Sequence, residues 1–208
     1  MNKEKISNRK LKSMETKKKI YDTAALLFRN EGFENVTVDT IVETAGISKG
    51  AFYVHYPSKN TLIAQLIADN VKNTDINYKL YLDGIPEGTS ASHILISLAG
   101  NIADFIASNI GYDVMKILYE ILLTKNVDGD AVISYNRDLY IMFNEVIKRG
   151  IQQGEFTSSI DSDTITTHCI LAIRGLTYEW CIRYPDFDYK EHVLKHFEML
   201  LDGIKVKN

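Results

Sequence analysis

The stretch "AGISKGAFYVHYPSKNTL", residues 45–62, brings turn-forming, basic and aromatic residues together within eighteen positions. Gly46 is placed to end one helix in a left-handed conformation, and Ser48 is placed to cap the next. Pro57 ends that next helix, and Ser58 can cap a further one. The stretch therefore predicts a helix of about two turns, joined by tight connections to a helix on either side.

Helical periodicity extends in both directions from this stretch. Apolar residues recur at the spacing of one helix face from about Thr16, and Gly32 marks the end of that first helix. Thr37 can cap a short second helix over residues 38–45, and the fourth helix runs towards Leu82. We therefore expect three helices followed by one long helix in the N-terminal part of the chain.

The remainder of the chain also has a helical pattern. Most glycines fall between long periodic segments, only three prolines occur, and no convincing strand alternation is present. Five more helices are predicted, which gives an all-α chain of about nine helices. These five span residues 91–108, 112–124, 129–154, 161–184 and 189–205.

The domain boundary is expected inside the fourth helix, because no Pro/Gly-rich linker separates the two parts of the chain. The predicted organisation is a basic N-terminal arm at residues 1–15, a three-helix domain at residues 16–62 and a larger helical domain at residues 63–208. No internal repeat or low-complexity segment is evident.

Charge is distributed unevenly along the chain. Residues 1–72 carry a net charge of +4 and residues 73–208 carry −7, so that the whole chain carries −3. The first 19 residues alone hold eight basic and two acidic side chains. Such a tail is either a solvated end or, beside a nucleic-acid-binding element, an arm attracted to phosphates.

The composition is that of an ordinary globular protein, with 45% hydrophobic and 25% charged residues. It excludes a disordered or collagen-like chain. No run of 18 apolar residues appears and no apolar segment follows the basic N-terminus, so we expect no membrane span, no signal peptide and a cytoplasmic location. Cys169 and Cys181 lack the spacing of a zinc site or a disulfide framework, and we interpret them as core or interface residues.

Two short helices separated by "AGIS" are typical of a helix-turn-helix, in which the second helix enters a DNA major groove. Gly50 lets the backbone approach the nucleic acid closely, while Lys49 and Tyr53 project from the same side of that helix. His55 and Lys59 can reach the flanking phosphates.

The aromatic residues of the stretch divide between reading and packing. Phe52 and Tyr56, one turn apart, are predicted to pack inward against Ile41, Val42 and Ile47. The alternative is that the whole cluster is an ordinary small core. That alternative treats the two lysines as solvated charges, and it does not explain why "GISKG" lies between two minimal helices beside a basic arm.

Residues 16–66, "TKKKIYDTAALLFRNEGFENVTVDTIVETAGISKGAFYVHYPSKNTLIAQL", resemble the N-terminal domain of the tetracycline-repressor (TetR/AcrR) family of bacterial transcription regulators. The departures from the family pattern are mild. Val42 replaces a small alanine, Tyr56 a phenylalanine and Asn60 an acidic residue, and Val54 offers no polar group for base reading. These departures leave the fold expected and the operator sequence undetermined.

The resemblance implies which residues of this chain meet DNA. It implies base or groove contacts from Lys49, Gly50 and Tyr53. It implies phosphate contacts from Thr37, His55 and Lys59. Asp39, near the start of the second helix, is by this resemblance a further position that faces DNA.

Beyond residue 65 the resemblance is weaker and implies an effector-binding, dimerising domain. In the family the last two helices pair with their copies in a four-helix arrangement, which here would use residues 163–182 and 189–204. The first of these helices is apolar nearly all round, so it must be covered on more than one side. A core within one protomer is the alternative. The residues predicted for the dimer interface are Ile165, Cys169, Ala172, Ile173, Leu176 and Trp180.

An effector cavity is expected among the C-terminal helices, where aromatic and polar residues lie on inward faces. Each of these residues can equally be part of the core, with a neighbouring helix as its polar partner. His192 and His196 are one turn apart but lack a third ligand, so no metal and no cofactor is expected. The candidate cavity residues are Asn101, Phe105, Tyr112, Met115, Tyr119, Asn136, Tyr140, Phe143, Asn144 and His168.

Together these features predict a homodimeric, ligand-responsive regulator that binds a near-palindromic double-stranded DNA operator and is released by a small-molecule effector. An enzyme or carrier with a vestigial helix-turn-helix is a second hypothesis, but no nucleophile-and-base group, phosphate loop or metal spacing supports catalysis. A non-specific architectural DNA binder is a third. The acidic C-terminal part disfavours it, since such proteins are usually basic throughout.

Overall fold

The computed structural model describes residues 2–124, 134 and 137–206. Nine α-helices lie within these residues, and the predicted all-α fold is confirmed. The helices are α1 (Asn2–Glu31), α2 (Val38–Ala45), α3 (Lys49–His55), α4 (Lys59–Asp83), α5 (Ala91–Phe105), α6 (Tyr112–Thr124), α7 (Asp138–Gln152), α8 (Ser162–Arg183) and α9 (Tyr189–Ile204).

The chain divides into two compact units. The first contains the described residues of 1–69 and 120–129, and the second contains those of 70–119 and 130–208. The division falls within α4, so no separate linker marks it. The domain limits proposed from the sequence stay predictions.

One helix limit of the first unit differs from the expected one. α1 begins at Asn2 rather than near Thr16, because the basic segment contains no glycine or proline and is rich in residues that favour helix. The structure describes α7 from Asp138. The predicted start of this helix at Gly129 and the candidate residue Asn136 lie outside the described residues.

The predicted helix ends of the first unit are confirmed. Thr37 caps α2 by accepting a hydrogen bond from the amide of Thr40, and Gly46 ends it with φ 59° and ψ 45°. Ser48 accepts from the Ala51 amide at the start of α3. These local bonds satisfy backbone groups that a short helix leaves without partners.

The core of the second unit forms around α5. Leu95, Leu98 and Ile102 of α5 are almost completely buried, as are Phe143 of α7 and Phe197 of α9, whose rings lie 6.0 Å apart. Residues 91–110 are long and apolar enough to cross a membrane, yet 56% of the relevant stretch is buried inside the protein. α5 is therefore packed as a core helix.

The α7–α8 turn secures the first turn of α5. The Glu155 carboxylate accepts hydrogen bonds from the amides of Ala91 at 2.6 Å and Ser92 at 2.9 Å, and from the Ser92 hydroxyl. Burial raises the pKa of Glu155, but these hydrogen bonds outweigh burial, so its pKa lies below the ordinary value. A carboxylate at a helix N-terminus also interacts favourably with the helix dipole.

Gly150 allows this turn to pack closely against α5. A Cβ atom at Gly150 would lie 2.4 Å from the Phe156 ring and 2.8 Å from the Ala91 side chain. Gly203, in contrast, has no atom within 4 Å of the corresponding position. The two helical glycines therefore offer a matched comparison.

We expect Gly150→Ala to lower the free energy of unfolding by about 1–3 kcal/mol, because the added methyl group overpacks the α5–α7 contact. Thermal unfolding followed by circular dichroism measures the effect. Gly203→Ala is the control and should leave stability unchanged or slightly raised. Equal melting temperatures for Gly150→Ala and the wild type would contradict the close packing.

Candidate nucleic-acid interface

Helix α3 is fixed on its inner side by aromatic packing. Phe52 is completely buried and Tyr56 is 3% exposed, and both belong to a cluster with Ile41 and Val42 of α2. Ile47, in the turn, packs against the same cluster. The predicted inward placement of these side chains is confirmed, and it determines which face of α3 points outward.

The outward face of α3 presents the residues expected to read DNA. Tyr53 is 48% exposed and Val54 is 79% exposed. Lys49 and Gly50 are also exposed, and a Cβ at Gly50 would meet only Ser48, at 3.9 Å. The helix thus offers a basic group, an aromatic hydroxyl and a stretch of open backbone on its accessible side.

Lys49 is paired within the protein, a contact that the sequence pattern did not reveal. Its Nζ lies 2.7 Å from a carboxylate oxygen of Asp39, which stands in the first turn of α2. The hydrogen bond and the charge of Asp39 raise the pKa of Lys49. Both side chains remain more than half exposed, so the pair lies on the surface rather than in the core.

Two further predicted phosphate contacts lie at the edges of this surface. Thr37 is exposed at the start of α2, and its hydroxyl already bonds to the amide and hydroxyl of Thr40. His55 is half-buried in the last turn of α3. Their roles towards DNA stay predictions.

Lys59 has a structural role that sequence reasoning missed. Its Nζ donates to the backbone carbonyls of Phe33 at 2.8 Å and Val36 at 2.9 Å, and it lies 3.9 Å from the centre of the Phe33 ring. Burial lowers the pKa of Lys59, although the charge of Glu34 opposes this change. Lys59 therefore ties α4 to the loop before α2, and the phosphate contact proposed for it stays a prediction.

Comparison with known proteins finds relatives of this chain and of its fold. Residues 20–66 match the family model described as bacterial regulatory proteins, tetR family. The chain is 24% identical over 203 residues to the HTH-type transcriptional regulator AcrR of Shigella flexneri, covering 93% of this chain and 91% of AcrR. It is 27% identical over 172 residues to the regulator SrpR of Pseudomonas putida, covering 79% and 75% of the two chains.

Residues 20–66 thus form a domain of the tetR-family type. The fold of the chain matches that of Thermus thermophilus FadR, a TetR-family transcriptional repressor solved in complex with lauroyl-CoA, with a TM-score of 0.69 and 22% identity over 92% of this chain and 96% of FadR. AcrR and SrpR are both named as HTH-type transcriptional regulators.

In the second unit, polar groups predicted to line a cavity have partners within the protein. The Tyr119 hydroxyl donates to the carbonyl of Arg174 at 2.7 Å. The Asn144 amide donates to Asp163 at 2.8 Å and to Thr166 at 3.0 Å. The contacts of these side chains therefore favour the core alternative, and a ligand role for them stays a prediction.

The other candidate cavity residues occupy varied surroundings. Met115 and Phe143 are buried, whereas Asn101 and Phe105 are half-buried. Two further candidates have partners within the protein: the ring centres of Tyr112 and Tyr184 lie 4.3 Å apart in a stacked arrangement, and the Tyr140 hydroxyl donates to the carbonyl of Asp163 at 3.1 Å.

His168 and the observed cleft depart from the expected cavity. His168 is exposed on α8, so its predicted inward placement is wrong. A cleft of about 760 Å³ lies at the C-terminal end of α4 and the start of α5, with Tyr81, His93 and Ser97 in its wall. None of the candidate residues lines this cleft.

The predicted dimer interface also requires correction. Ile165, Cys169, Ile173 and Trp180 are at most 6% exposed within a single chain. Side chains that are already buried have little surface left to bury against a second copy, so these four belong to the protomer core. Ala172 and Leu176, also predicted for the interface, are half-buried, and for them the assignment stays a prediction.

We expect Lys59→Met to lower the free energy of unfolding by about 1–3 kcal/mol, because the carbonyls of Phe33 and Val36 lose their charged donor. Thermal unfolding checks this. Lys72→Met, an exposed substitution on the same helix, is the control and should change stability by no more than about 0.5 kcal/mol. If both variants were as stable as the wild type, the structural role of Lys59 would be wrong.

Proposed function

We propose that this chain is a TetR-family regulator that acts in the cytoplasm as a homodimeric repressor, which leaves a near-palindromic DNA operator when a small-molecule effector binds. The observation that carries the proposal is the exposed face of α3, with Lys49, Gly50 and Tyr53 presented by a helix that Phe52 anchors in the buried cluster. A rigidly held helix of this kind suits a major groove.

Homodimerisation is supported by an exposed apolar stripe on α8. Leu171, Tyr178 and Ile182 are 47%, 44% and 59% exposed, and they lie seven and four residues apart on one face of the helix. Gly175 lies between them with open space around it. The stripe is opposite to the buried face, so a second copy of α8 would cover what the protomer leaves exposed.

Effector control is proposed to act through the C-terminal half of α4. There the Asp75 carboxylate is almost fully buried and accepts hydrogen bonds from the Arg137 guanidinium, from Nε to Oδ2 at 2.7 Å and from Nη2 to Oδ1 at 2.5 Å. This two-pronged pair attaches α4 to the residues that lead into α7. A ligand that moves α7 would thereby move α4, and the coupling between ligand and DNA is expected to be about 1–3 kcal/mol.

The nature of the effector is open, and the FadR complex supplies a first probe. Since Thermus thermophilus FadR was solved with lauroyl-CoA, a long-chain acyl-CoA is the starting ligand for a screen of DNA release. Flat apolar molecules with one polar group form the second class, because several aromatic side chains of the second unit are buried.

Selection of randomised DNA by the purified protein tests the proposal. We expect an enriched palindrome whose affinity falls steeply as salt rises, since the basic groups displace counterions from phosphates. Lys49→Ala and Tyr53→Ala should change the enriched sequence, because both residues lie on the reading face. Absence of any enrichment would contradict operator binding. Enrichment of an asymmetric site would contradict the dimer.

A second prediction concerns the α8 stripe. Leu171→Arg places a charge in the proposed interface and should shift the protein from dimer to monomer in sedimentation velocity. Ile76→Arg makes the same change at a side chain of α4 that is 50% exposed, and it should leave the dimer intact. A Leu171→Arg protein that sediments as a stable dimer would contradict the interface.

A further inference from the structure

The Asp39–Lys49 ion pair places a carboxylate on the surface expected to meet a polyanion. The two residues stand on different helices, yet the Lys49 Nζ lies 2.7 Å from one oxygen of Asp39 and 3.0 Å from the other. A negative charge at this place opposes attraction to phosphates. Its presence therefore needs an explanation other than general affinity for DNA.

We propose that Asp39 is a specificity-determining residue that acts as an internal counter-ion for Lys49. In this arrangement Lys49 contributes binding energy only at base pairs that offer partners to both side chains. The inference rests on the proposed operator-binding function. It adds a reason why the regulator would bind arbitrary DNA weakly.

On arbitrary DNA the pair stays closed. A Lys49 ammonium that is held by a carboxylate neutralises no phosphate, so it releases no counterion and adds nothing to non-specific affinity. Asp39 also repels the phosphates and the carbonyl acceptors of unsuitable bases. Both effects lower binding to the large excess of non-operator sequence.

On a suitable base pair the partners exchange. Lys49 donates to acceptors such as guanine O6 and N7, and Asp39 accepts from an amino group such as cytosine N4. A G·C pair in the major groove presents both kinds of group. The exchange requires an accessible pair of low stability, and both conditions hold here, since the side chains are 52% and 69% exposed.

Asp39→Asn tests the inference because it removes the charge and keeps the shape. Affinities for an arbitrary duplex and for the selected operator are measured at several salt concentrations. On the arbitrary duplex, the slope of log K against log salt should steepen by about 0.9 for each protomer bound, as Lys49 becomes available to a phosphate. The ratio of operator to arbitrary affinity should fall by about fivefold or more.

Glu43→Gln is the matched control. Glu43 is exposed on the same helix as Asp39, so its substitution removes an equal charge without touching Lys49. It should leave the slope and the affinity ratio close to those of the wild type. An equal effect of both substitutions would overturn the inference, because the effect would then be general electrostatics.

A double-mutant comparison isolates the pair. In a Lys49→Met background, Asp39→Asn should no longer steepen the slope, since the lysine that it would release is absent. Steepening that persists in this background overturns the inference. If Asp39→Asn alone has the same salt slope and the same affinity ratio as the wild type, the inference is also overturned. The proposed function still stands in that case, provided that the wild type selects an operator. If the wild type selects no operator, the proposed function fails, and the slope on arbitrary DNA still decides whether Asp39 neutralises Lys49.

Discussion

The burial of Phe52 is the interaction on which the DNA-reading surface depends. α2 and α3 contain eight and seven residues, lengths at which an isolated helix is not stable in water. Tertiary packing holds them instead, because Phe52 is fully buried among apolar side chains of α1, α2 and α4. Once that side chain is fixed inward, the helical period places Lys49, Gly50 and Tyr53 outward.

Local features of the first unit could be predicted from the sequence because they depend on neighbouring residues. Thr37 and Ser48 cap helices within three residues of themselves, and Gly46 meets a conformational requirement of its own backbone. The contacts of Lys59 could not be predicted in the same way. Its partners lie 26 and 23 residues earlier in the chain, and only the folded arrangement brings them together.

The second unit shows a different limit of sequence reasoning. The pattern of α8 predicts a helix that needs cover on more than one side, but periodicity does not say which neighbour covers which side. The face with Ile165 and Trp180 proves to be the protomer core, and the face with Leu171 and Ile182 is exposed. Polar residues such as Asn144 pose the same difficulty, since a protein partner and a ligand leave the same pattern in the sequence.

The two units therefore support function in different ways. In the first, a small buried cluster holds α3, and Lys59 ties α4 to the loop before α2. The charge of Lys49 on α3 is partly balanced by Asp39. In the second, the buried Asp75–Arg137 ion pair supports the proposed effector control, and the exposed stripe on α8 supports the proposed dimerisation. The central claim is that the outward face of α3 is the surface that meets DNA.

Photo-crosslinking tests that claim most directly. A benzophenone-bearing amino acid replaces Val54, which is 79% exposed on α3, or Leu80, which is 64% exposed on α4, and each protein is irradiated with the selected operator. We expect crosslinks to DNA from position 54 and none from position 80. Crosslinks from position 80 with none from position 54 would contradict that claim.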